Sequence, residues 1–191
     1  MKYSILLLAG FLGYQLVFAQ ANNAGTRVLD FRSGLEQRLA DERKTCAVDT
    51  LRETLIQKHG SYIERLGAED KEACIQSLQT TEVLRCDKLF SMLEKQIAIL
   101  NPEAMKAETL KPEFSETVYS QALTSRLIQE VQVVRGETLD RIDSIFSSTQ
   151  CSLLRGFSGY FAKRNLKNGL NQKLDEQVNA LSSTQLRFDG L

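Results

Sequence analysis

Groups able to exchange a proton, attack a substrate or hold a metal are scarce in this chain of 191 residues. His59 is the only histidine. It stands in Lys58-His59-Gly60 with no Ser or Cys motif that would make it a base, so it reads as part of a helix face. The 24 Asp and Glu residues are numerous enough that neighbouring pairs arise by chance, as solvated helix surface. Gly156-Phe157-Ser158-Gly159 has G-x-x-G spacing, but no strand precedes it and no Lys-Ser/Thr follows, so it reads as flexible or closely packed backbone rather than a phosphate loop. The sequence thus nominates no catalytic residue, no metal ligand and no cofactor site, and predicts a protein that is not an enzyme.

Four cysteines remain, Cys46, Cys74, Cys86 and Cys151. An even number in a chain with an export signal predicts two disulfides. Zinc is the rival, but metal ligands come in close Cys-x-x-Cys or His-x-x-x-His pairs, and no such pair exists here.

The elements that must position these cysteines are helical. Val28, Phe31, Leu35, Leu39 and Cys46, then Leu51, Leu55, Tyr62 and Leu66 after a one-residue slip of phase, form one apolar stripe at helical spacing. Gly67 would end it as a left-handed cap. A second stripe runs Ile75, Leu78, Cys86, Leu89, Leu93, Ile97 and Leu100, and Asn101-Pro102 stops it. A connection follows, with room for a helical turn at Ala104 to Glu108. Pro112 then suits a first helical position, ahead of Val118, Ala122, Leu127, Val131, Val134, Leu139, Ile142 and Ile145. Ser147 to Thr149 mark a turn. Leu170, Leu174, Val178 and Leu181 give a last stripe, clean only in its second half.

The expected fold is all-α: an elongated, up-down-up-down antiparallel bundle of about four long helices, roughly 28–66, 69–100, 112–147 and 151–181, stapled by disulfides. If the first two helices fold back at Gly67, Cys46 and Cys86 lie at almost equal distances either side of the turn and meet. Cys74 and Cys151 then share the turn end. Cys46–Cys86 with Cys74–Cys151 is the preferred pairing. Cys74–Cys86 would span about 18 Å inside one helix and needs a hairpin at Thr80-Thr81.

Lys2, the apolar run Ile5 to Phe18 and the pair Val17-x-Ala19 make a signal peptide, residues 1–19, cut before Gln20. The run of about 14 residues falls short of the roughly 20 that span a bilayer. The mature chain, 20–191, is expected to be one secreted, extracellular domain, with no transmembrane segment and close to electroneutral.

One segment departs from that balance. No acid lies between Asp143 and Asp175, where Arg155, Lys163, Arg164, Lys167 and Lys173 surround Phe157, Tyr160 and Phe161. Such a patch fits an anionic partner: lipid headgroups, a sulfated glycan or an acidic protein face. Its plainer meaning is an amphipathic helix with Phe157 and Phe161 inward and the cations in water. The leading expectation is a non-catalytic protein that binds an extracellular macromolecule; nucleic acid is not expected, since basic tracts that grip it are denser. The alternative is a carrier holding a lipid or other apolar molecule between helices, lined by Phe90, Phe114, Tyr119, Phe146, Phe157 and Phe161.

Overall fold

The computed structural model describes residues 25–191, less the side chains of 48–49, 58–63, 153, 156–158 and 162. The leader at 1–19 and the side chains of His59, Tyr62 and Phe157 lie outside the described residues. Helices run Val28–Thr45 (α1), Val48–Ile63 (α2), Ala68–Ile99 (α3), Pro102–Thr109 (α4), Glu116–Ser148 (α5) and Gly156–Ser182 (α6), with a 3-10 turn at Ser152–Leu154. The fold is an all-α bundle carrying two disulfides.

Cross-helix ion pairs establish the directions. Lys88 meets Glu137 and Lys95 meets Glu130, so seven residues up α3 are seven residues down α5. Asp143 with Lys167 and Arg135 with Asp175 relate α5 and α6 in the same antiparallel sense. Arg43 to Glu94 and Arg52 to Glu72 lay α1 and then α2 antiparallel along α3. Both disulfides fall on these registers: Cys46–Cys86 ties the α1 end to α3, and Cys74–Cys151 ties α3 to the chain leaving α5. The preferred pairing is the one formed.

Four expected boundaries need correction, the simplest being the last helix, which begins at Gly156 after the 3-10 turn rather than at residue 151. The first long helix is two: α1 stops at Thr45, where the Cys46 and Ala47 amides donate to Glu42 and Lys44 carbonyls, and α2 starts at Val48. The slip of phase is the cause, because only a break lets Phe31 and Leu35 above it and Leu51 and Leu55 below it all be buried. Gly67 is no left-handed cap; at φ −60° and ψ 156° it is extended and begins α3. Pro112 does not begin α5. Phe114 donates its amide to the Lys111 carbonyl, closing a turn over Pro112, and the helix starts at Glu116. Phe114 then packs edge-on against Tyr119 and Phe188. That start also sets the phase of α5, whose buried line runs Ser120, Leu123, Leu127, Val131 and Val134 while Val118 and Ala122 face water. Pro102 is instead the first residue of α4, where the Asn101 side chain accepts the Ala104 amide.

The apolar interior has two parts. The larger joins Phe31, Leu93, Leu127, Val131, Leu174 and Leu181, among others, and is closed by the two-residue strands β1 (Thr26–Arg27) and β2 (Leu186–Arg187), paired in parallel. β2 brings Leu186 and Phe188 into that core, and the Leu186 amide donates to Ser120. Gln96 and Gln177 are buried within it, between Leu93 and Leu100 on α3 and between Leu174 and Leu181 on α6. Gln177 donates to Gln96, which donates to the Leu127 carbonyl, so α6, α3 and α5 are joined by polar groups that satisfy one another. The smaller part is built on Cys74, Cys151 and Leu154, with Leu66, Leu78 and Phe146 against it.

Gly136 lies in the middle of α5, where an added Cβ would meet nothing within 4 Å. Gly136→Ala should therefore raise the unfolding free energy by about 1 kcal/mol, read from the urea midpoint. A lowered midpoint would show that a neighbour needs that space.

Candidate functional site

The start of α6 is fixed from four directions. Cys151, fully buried, is bonded to Cys74 at the head of α3. One turn earlier on α3, Asp70 accepts both the amide and the hydroxyl of Ser152, and these hydrogen bonds hold its carboxyl below the usual carboxylate range. Arg155 turns back to donate from Nε to the Thr149 carbonyl at 2.8 Å. Gly159 lets the first turn of α6 press on the Leu154 backbone, where an ideal Cβ would stand 1.8 Å from the carbonyl oxygen. Gly159, the second glycine of the G-x-x-G spacing, thus sits at a close backbone contact.

From this fixed turn two rings project into solvent. Tyr160 is 55 % exposed and Phe161 46 %. They meet edge to face with centroids 5.7 Å apart. Arg164, exposed and with no ion pair among the described residues, lies four residues from Tyr160 and three from Phe161, so all three share one side of the helix.

The other cations are differently placed. Lys163 and Lys167 face α5 and share Asp143, with Lys163 Nζ 3.3 Å from Oδ1 and Lys167 on Oδ2. The Lys167 hydrogen bond, helped by Lys163, holds the Asp143 carboxyl low. Lys173 is exposed about 9 Å beyond Lys167 along the axis. The structure therefore gathers Arg155, Lys163, Arg164 and Lys167 around the first turns of α6 and leaves Lys173 apart. Of the four, Arg164 alone stands beside the rings on the outer side.

Phe161 does not point into the bundle as the amphipathic reading required. The signal was in the sequence: the stripe Leu181, Val178, Leu174 and Leu170, carried back at helical spacing, passes through Leu166, Lys163 and Gly159 and leaves Phe161 on the far side. The aromatic residues named for a carrier are scattered. Phe114 and Tyr119 stack with Phe188 beside the strands, Phe146 packs near Cys74–Cys151, and Phe161 faces solvent.

No family model, curated protein or solved structure matches this chain.

Two further features bear on chemistry. A crevice of about 350 Å³ between α3 and α5 is lined by Ser77, Thr80, Ser148 and Thr149, among others. Its hydroxyls are engaged: Ser77, Thr80 and Ser148 donate to carbonyls four residues back, and Ser77 bonds Thr149. Among the described residues no three His, Cys, Asp or Glu side chains converge to hold a metal, and no helix is long and apolar enough to cross a membrane.

Proposed function

We propose that this is a secreted, non-catalytic protein that binds an anionic extracellular partner through the outer side of the first turns of α6. The observation that carries the reading is the exposure of Tyr160 and Phe161 side by side with Arg164, on a turn that a disulfide, the Asp70–Ser152 hydrogen bonds and the Gly159 contact hold in place. A soluble helix ordinarily turns such rings inward. Exposed aromatic residues beside an arginine that has no ion pair among the described residues have the composition of binding surfaces, where rigid rings supply contact area at small entropic cost. The run from Asp143 to Asp175, free of acids between them, supports an anionic partner, and two disulfides with a leader-like N-terminus support an extracellular setting.

The test applies labelled protein to intact cells. Tyr160→Ser with Phe161→Ser, and separately Arg164→Glu, should each reduce surface-bound label at least about fivefold with helical content unchanged. Binding equal to wild type in both variants would remove this face from the function.

A further inference from the structure

Resting on that reading of the α6 face, we infer that its partner is an anionic lipid surface, engaged peripherally by the Gly67 end of the bundle. A sulfated glycan would be gripped by a dense row of free cations. Here two of the lysines are held by Asp143 against α5, and the group facing outward is two rings and one guanidinium. That combination suits the boundary between headgroups and acyl chains, where aromatic side chains settle at headgroup depth and arginine reaches phosphate oxygens. An acidic protein face is the other candidate, but it would have to cover both rings and supply a carboxylate for Arg164. A bilayer surface offers both chemistries at every orientation.

The charge distribution agrees. Arg164 stands beside the rings in a run, 144–174, that holds no acid, while Lys163 and Lys167 face α5 on Asp143. The charge beside the rings is therefore positive, which is the complement an anionic surface requires. The footing is rigid as well. Cys74–Cys151 and the Asp70–Ser152 hydrogen bonds present the rings without an ordering step on binding. None of the described helices is long and apolar enough to cross a bilayer.

The experiment is cosedimentation of the oxidised, full mature chain with phosphatidylcholine vesicles, with and without phosphatidylserine, alongside binding to intact cells. Partitioning should rise at least about tenfold with phosphatidylserine and fall with added salt. Tyr160→Ser with Phe161→Ser and Arg164→Glu should each reverse most of that gain, while Val133→Ser, an exposed apolar position on α5, should not. Failure to bind either vesicle overturns the lipid assignment. If cells still bind and the α6 variants do not, the partner is a protein or glycan on the same face and the broader reading stands. If neither vesicles nor cells bind, both readings fall. Equal binding of the two vesicle types, or of wild type and the α6 variants, also overturns the assignment.

Discussion

Replacing Cys74 and Cys151 together by Ala should lower the unfolding free energy by about 4 to 5 kcal/mol, the largest loss expected from any pair of substitutions outside the main core. Two causes act together. The bond closes a sequence separation of 77, against 40 for Cys46–Cys86, and the entropy removed from the unfolded chain grows with the length of the loop. Both sulfurs are also buried at the centre of the smaller apolar cluster, whose other members are Leu154 with Leu66, Leu78 and Phe146. That cluster is too small to hold the head of α3, the 3-10 turn and the start of α6 together by burial alone. Alanine is the better probe than serine, because a serine hydroxyl there would add the separate cost of an unpaired buried polar group.

The loss should be uneven. Amides of α6 near Tyr160 should exchange with solvent well before those of α3 near Leu93, since the larger core is untouched. Hydrogen exchange with urea unfolding under non-reducing conditions reads both effects. A midpoint within error of wild type would show that the Asp70–Ser152 hydrogen bonds and the apolar contacts suffice.

Much of the architecture was legible because the apolar stripes are long. In α3 and the second half of α6 the spacing located the elements and their buried sides, and the antiparallel register brought Cys46 to Cys86 and Cys74 to Cys151. Errors arose where a stripe ends. Val118 and Ala122 are four apart but stand nine and five residues before Leu127, off the helical steps of three and four; they belong to the first turns of α5, which follow the turn at Pro112 and Phe114 packing on Tyr119. Spacing cannot see that packing. β1 and β2 are two residues each, too short for alternation to appear, and their pairing joins positions at opposite ends of the described chain. At the site, composition found the cations but not their division. Arg164 was separated from Lys163 and Lys167 by Asp143, a residue on another helix whose alignment with α6 depends on the α5–α6 register. The outward turn of Phe161 was recoverable, because Gly159 marks the contact side two residues earlier.

Gly159 also carries the sharpest single-residue prediction. Gly159→Ala should destabilise the protein by about 3 kcal/mol, although alanine is the better helix former by about 1 kcal/mol at an unhindered position. The added methyl would stand 1.8 Å from the Leu154 oxygen and 2.3 Å from its carbonyl carbon, so it meets backbone rather than a side chain that could swing aside. Either α6 or the 3-10 turn must move. The turn is held by Cys151 in its disulfide and by Ser152 on Asp70, so strain falls on both and displaces Tyr160 and Phe161 with the helix. Gly169→Ala is the control within the same helix: nothing lies within 4 Å of its added Cβ, and it should gain about 1 kcal/mol. The two substitutions are chemically identical and opposite in expected sign, so helix propensity cannot account for the difference. Thermal unfolding of both variants decides it, with near-ultraviolet circular dichroism reporting the environment of the Tyr160–Phe161 pair. If Gly159→Ala matched Gly169→Ala in stability, α6 would not lie against the Leu154 carbonyl, and the rigid footing of the exposed rings would be lost with that contact.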